Sequence, residues 1–229
     1  MHCKQAIGLG LAGVLCLSLG SPEPASSRNI QHFGDAYGSF AKVVGVIKSG
    51  KSFPVYLGPC GTISPPVNLA NTGATVSVSP YRGTGAIDTT ASATEASGTR
   101  TTRTSATVHS VSLLSGLITA SEVMAVSATS HDASGFHTSA AQSRLARLVV
   151  AGVPILLVPA PNTRIDLAGF GHVILNEQIS NFGSASAELV VNMIHVVVTL
   201  SNPLVPVGTD IVVAHAESGL VAADIAGFL

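Results

Sequence analysis

The sequence predicts an all-β fold, an antiparallel β-sandwich or irregular barrel that follows a cleaved N-terminal signal helix. Three observations lead there. Apolar residues alternate with Ser and Thr at a period of two in several segments, the pattern of a half-buried strand. Gly and Pro punctuate these segments at short intervals. Outside the N-terminal leader, no stretch long enough for a stable helix keeps a clean 3.6-residue spacing.

Residues 1–20 read as a secretory signal. Lys4 gives a positive start, an apolar run extends from Ala6 to Leu19, and Ser18-Leu19-Gly20 places small residues at the cleavage positions. The run is short for a bilayer span. Leu15 precedes Cys16 where a lipidation site needs a small residue, so simple cleavage is expected. Residues 21–34 read as a linker, opened by Ser21-Pro22-Glu23-Pro24. A single β-rich domain is expected over 35–229.

Within that domain, Tyr37 to Ile47 has strand character, and Thr75 to Ser79 alternates. The Ser/Thr/Gly-rich stretch Thr84 to Thr104 fits either long strands or an insert. Thr104 to Leu114 and Leu117 to Thr129 alternate around a turn at Ser115-Gly116. Ser139 to Val150 is the best helix candidate of the domain. Ala151-Gly152 marks a turn before Val153 to Val158, and Pro159-Ala160-Pro161-Asn162 breaks the chain. Thr163 to Leu167 and His172 to Ile179 read as a hairpin about Ala168-Gly169-Phe170-Gly171. Ala187 to Leu200 is apolar at successive positions, as a central strand covered on both faces would be. Asp210 to Glu217 reads as the last strand.

Composition narrows the function. Charged residues are 10% of the chain, aromatics 4%, and Trp is absent. Polarity comes from hydroxyls, and 46% hydrophobic content is ordinary for a globular protein. Beyond residue 20 the basic and acidic residues nearly balance, which leaves no electrostatic footprint for nucleic acid. No second segment reads as a membrane span, so none is expected after signal removal. Cys3 and Cys16 leave with the signal, and Cys60 remains as a buried thiol or as one half of an intermolecular disulfide.

Two constellations carry candidate chemistry. Glu177, with Asp166 across the expected hairpin, offers the carboxylate pair that glycoside hydrolysis uses. Such a site usually has aromatic platforms for sugar, and Trp is absent; hydrogen-bonded edge positions explain the same residues. His195, His215 and Glu217 form a metal-ligand set if their strands pair. A hydrogen-bonded core histidine is the simpler reading. His131 and His137 flank Asp132 in an expected loop. Neither a phosphate-binding Gly loop nor a Gly-x-Ser-x-Gly elbow occurs. No cofactor is expected.

Several segments together resemble the choice-of-anchor P family of exported bacterial proteins. They are Ser105 to Ala120; Pro159 to Thr163 followed by Asp166 to Gly171 and Leu175-Asn176-Glu177-Gln178; Val191-Asn192-Met193-Ile194-His195-Val196; and Ala214-His215-Ala216-Glu217-Ser218-Gly219-Leu220. The resemblance spans roughly residues 100–220. It implies a bacterial surface or secreted protein and carries no established catalytic residues. No anchor is expected from the C-terminal residues of the sequence. The expectation is a secreted or cell-surface-associated protein, structural or adhesive and non-enzymatic. A secreted hydrolase, or a glycan- or metal-binding module, is the alternative. Expected partners are further copies of the chain, through Ser/Thr/Val-rich edge strands with few Lys gatekeepers, or cell-envelope components.

Overall fold

The computed structural model describes residues 30–45, 47–58, 65–78, 81–203 and 205–222. Its strands, in chain order, are β1 (Ile30–Val43), β2 (Ile47–Ser49), β3 (Val55–Leu57), β4 (Val67–Gly73), β5 (Val76–Val78), β6 (Arg82–Thr84), β7 (Ile87–Ala96), β8 (Thr99–Leu113), β9 (Ile118–Asp132), β10 (Gly135–Ser139), β11 (Arg144–Ala146), β12 (Leu148–Val150), β13 (Val153–Ile155), β14 (Thr163–Leu167), β15 (Gly171–Phe182), β16 (Ser186–Val198) and β17 (Asp210–Ala222). There is no helix among the described residues, and so none that is long and apolar enough to cross a membrane. The signal segment and Cys60 lie outside the described residues.

Two antiparallel sheets face each other and do not close into a barrel, so the sandwich form of the expected fold is the one adopted. The first sheet runs β14-β15-β16-β17-β1-β2, with β3 also paired to β1. The second runs β13-β12-β9-β8-β6-β5; β10 and β11 also pair with β9, β7 pairs with β8, and β4 with β7. The first and last strands are neighbours in the middle of the first sheet, with Ile30 opposite Ala222. Strand β1 therefore begins inside the segment read as a linker.

Local chemistry explains most of the elements. The turn Leu114-Ser115-Gly116 has positive φ at all three residues and joins β8 to β9 where Ser115-Gly116 marks a turn in the sequence. Ala151 and Gly152, both at positive φ, close the β12–β13 hairpin. The long Thr/Ser stretch over 84–104 forms β7 and the start of β8, fully paired from Ile87↔Val108 to Ala96↔Thr99. The helix expected over Ser139 to Val150 is absent. Its apolar residues serve the short strands β11 and β12, both paired to β9. Pairing to an existing sheet edge satisfies that backbone without the cost of nucleating a helix.

The space between the sheets changes character along its length. One part is aliphatic, with Ile87, Leu113, Ile118, Leu148, Ile194, Val196 and Ile211 fully buried. The other part is lined by buried hydroxyls, and these bond across to the opposite sheet. Thr104 Oγ1 donates to the carbonyl of Glu217 at 2.9 Å, and Thr102 Oγ1 to that of Gly219 at 3.1 Å. Ser127 Oγ donates to the carbonyl of Leu189 at 2.7 Å. Thr129 Oγ1 lies 2.9 Å from the Ser218 carbonyl and 2.8 Å from its hydroxyl. A hydroxyl carried on Cβ reaches an opposing main chain only where sheets approach more closely than the usual ~10 Å. Small residues permit that approach, which accounts for the scarcity of aromatics. At Gly38 any side chain would collide with Ile87 of the other sheet.

These crossing bonds give the first prediction. Thr129→Val keeps the shape but takes one partner from the buried Ser218 carbonyl and leaves the Ser218 hydroxyl with Ser127 alone, and it lowers unfolding free energy by about 1–2 kcal/mol. Thr90→Val, on the exposed face, changes it by less than about 0.5 kcal/mol. Urea denaturation of the two variants checks the difference.

Candidate functional site

The outer face of the first sheet carries a connected set of ionisable side chains. Its geometry starts from an irregularity in the pleat. Pairing runs Leu175↔Ile194 and resumes at Glu177↔Asn192; it runs Ile194↔Val213 and resumes at Asn192↔His215; it runs Ser39↔Val213 and resumes at Tyr37↔His215. The row passed over holds Asn176, Met193, Ala214 and Gly38. Asn176 and Ala214 there have φ of 51° and 55°. A left-handed residue inside a strand reverses the alternation of faces, as at a β-bulge. Asn192 and His195 would lie on opposite faces of a regular strand. Here both reach the same oxygen, Glu177 Oε2, at 2.7 and 2.9 Å.

From that point the bonds run in two directions. Asn192 Nδ2 donates to Glu177, which leaves Asn192 Oδ1 to accept from His215 Nδ1 at 2.6 Å. His215 Nε2 faces Asp35 Oδ1 at 2.8 Å, and the second oxygen of Asp35 contacts Lys51 Nζ. In the other direction, His195 Nε2 faces Asp210 Oδ1 at 3.1 Å. Tyr37 stacks on His215 with ring centroids 4.3 Å apart, and Lys51 lies over the rings of Tyr37 and Tyr56. The chain of contacts thus reads Lys51, Asp35, His215, Asn192, Glu177, His195, Asp210.

The charges follow from these contacts. Hydrogen bonds to Asp210 and then to Glu177 outweigh burial and push His195 up to about 9, so it is an imidazolium at neutral pH. Burial pushes the Glu177 carboxyl up, but the bonds to His195 and Asn192 outweigh it and hold it below its ordinary value. Asp35 behaves alike: burial raises it, while His215 and Lys51 prevail and hold it low. Glu217 differs. Burial, then the negative charges of Asp35 and Glu188, raise it to about 7.

The sequence-derived candidates separate. Glu177 sits in the network, whereas Asp166 pairs with His172 at the far end of β15 and its side chain is 79% exposed. The five residues from His172 to Glu177 place the two carboxyls ~15 Å apart. Asp166 instead meets Arg164. His215 and Glu217 do come together, with Asp35 rather than His195 as the third member. Donor atoms of Asp35, His215 and Glu217 lie within 4.8 Å of one another. Lys51, held against Asp35, already brings a positive charge to that group.

Asp35, Lys51 and Asp210 were not singled out by sequence, because their meeting depends on the pairing of β1 with β17 and on the segment between β2 and β3. At the β9–β10 turn, Ser134 and Asp132 Oδ1 both meet His137 Nε2, at 2.8 and 3.4 Å. A catalytic relay needs the two partners on different ring nitrogens, so this is turn chemistry. The Ser134 hydroxyl and amide hold Asp132 down to about 2. No protein-family model, curated protein or solved structure matches the chain.

The site predicts a pH dependence. Because the folded value of His195 lies above its unfolded 6.5, its contribution is complete below about 6.5 and is lost as pH rises through about 9. Glu217 acts in the same direction: folding favours its neutral form, so its ionisation lowers stability as pH rises from 4.5 through about 7. The melting temperature is therefore higher near pH 6 than near pH 9. His195→Gln removes the alkaline part of that fall, on the order of 1 kcal/mol once solvent screening is counted. Thermal melts across pH test both statements.

Proposed function

We propose that the chain is a secreted or cell-surface-associated protein with a structural or adhesive, non-enzymatic role. The observation that supports it is the occupancy of Glu177. Its Oε2 takes bonds from both Asn192 and His195, and its carboxyl is held in the ionised form. A general acid needs the opposite, a carboxyl kept protonated near neutral pH. The carboxylate that the sequence pairs with it, Asp166, lies out of reach at the sheet edge with Arg164. The polar cluster works as a brace across β15, β16, β17 and β1, and the long hydroxyl-rich strands of the second sheet present a weakly charged surface to the outside.

The reading predicts that Glu177→Gln changes stability and not turnover. The variant and the parent protein are compared for release of reducing ends from cell-wall and plant polysaccharides and for thermal stability. A lowered melting point with no hydrolysis by either protein is expected. Hydrolysis by the parent that disappears in a folded Glu177→Gln variant would sink the proposal. Export is tested by fractionating the producing cells and sequencing the N-terminus of the protein recovered. Full-length chain confined to the cytosol would overturn that part.

A further inference from the structure

We propose that Lys51 and Asp35 condense into an intramolecular amide, with Glu217 as the proton carrier. Three features of the geometry converge on that bond. Lys51 Nζ contacts Asp35 Oδ2, while the other oxygen, Oδ1, is held 2.8 Å from His215 Nε2. The ammonium lies 4.8 Å and 5.4 Å from the ring centroids of Tyr37 and Tyr56, whose faces confine the side chain. Glu217 is the cross-strand partner of Asp35 on the same face of the sheet, and its side chain reaches to 3.9 Å from His215 Nε2.

The groups needed for the reaction are all in place. The Asp35 side chain is only 10% exposed, and against the effect of burial it starts as a carboxylate held low by His215 and Lys51. A proton passes from Nζ to Oδ2 within the contact, which leaves an amine beside a carboxylic acid. The amine lone pair attacks Cγ. Negative charge gathers on Oδ1, which lies 2.8 Å from His215 Nε2, a donor to it when the ring carries both protons. Glu217, whose carboxyl titrates at about 7, accepts a proton from the nitrogen and returns it to the Oδ2 hydroxyl. The Cγ–Oδ2 bond breaks and the oxygen leaves as water. The Nζ–Cγ amide keeps one hydrogen, Oδ1 remains as its carbonyl, and Glu217 ends as it began. No oxidant or co-reactant takes part. The product ties the segment between β2 and β3 to the central strand β1.

The test is the mass of the denatured full chain, with its N-terminus established by sequencing. The expected mass is that of the sequence less one water. Trypsin then fails to cut after Lys51 and yields a branched peptide joining residues 29–42 to 49–82. Asp35→Asn gives a sharper check, because condensation there releases ammonia and makes the same amide. The linked variant and the linked parent have equal masses, whereas unlinked chains differ. Lys51→Arg keeps the cation and the fold but leaves the mass equal to its sequence. Glu217→Gln leaves the folded chain unlinked or slowly linked. A folded parent with the full sequence mass and linear tryptic peptides overturns the amide and leaves an ion pair. Complete linkage in Glu217→Gln overturns the role given to Glu217.

Discussion

Beside an aliphatic core, the two sheets are joined by hydroxyls that cross from the strands of one to the main chain of the other. Thr102, Thr104, Ser127 and Thr129 on β8 and β9 donate to carbonyls of Leu189, Glu217, Ser218 and Gly219 on β16 and β17. A carbonyl already engaged in a strand ladder has a second lone pair, so these bonds add to the sheet without disrupting it. They require a close approach, and the close approach requires small residues. The composition follows: abundant Ser, Thr, Ala and Gly, few aromatics, no Trp. Unlike a leucine core, such an interface is directional, since a buried hydroxyl shifted out of register loses its partner. The register of β17 against β8 and β9 is therefore held firmly.

That register sets up the other face of the same strand. Glu217 and Gly219 offer carbonyls to the second sheet, and the side chains of His215 and Glu217 stand on the outer surface. The left-handed residues Asn176 and Ala214 reverse the pleat across the sheet, which gathers Asn192 and His195 onto one face with Glu177. A left-handed non-glycine residue in a strand carries a conformational cost. Here the cost is offset by an imidazolium held between Glu177 and Asp210 and by an amide bridge through Asn192. Burial of these charges is tolerable because each has an opposite charge or a hydrogen-bond partner. The inner hydroxyls and the outer ionic chain are thus two consequences of one strand arrangement.

Much of the fold was legible in the residues. Alternation located the end of β8 and the start of β9 closely, because Ser and Thr on alternate positions mark a pleated face, while β8 begins earlier, at Thr99, and β9 runs on to Asp132. Ser115-Gly116 and Ala151-Gly152 marked tight turns, because few residues accept positive φ. The helix expected over Ser139 to Val150 failed for the opposite reason. Its weak periodicity carried no long-range information, and the edge of β9 supplied hydrogen bonds that an isolated helix would have had to nucleate. Strand β16 shows a mixed outcome. It is central, yet only its inner face is apolar throughout, and the pleat reversal made the run Leu189 to Val198 look apolar on both faces.

Period, turn chemistry and composition are local properties, and they were enough to specify an all-β class and the polar residues available to it. The sequence identified Glu177, His195, His215 and Glu217 as notable. Which of them meet depends on long-range strand pairing. Asp35 and His215 are 180 positions apart and become neighbours because the first and last strands pair. Lys51 reaches Asp35 because the chain doubles back after β2 onto β1. Asp166 and Glu177, close in sequence, are separated by the extension of a single strand. Contacts of that kind arise from strand order and from one reversal of the pleat, and neither is written in any local pattern.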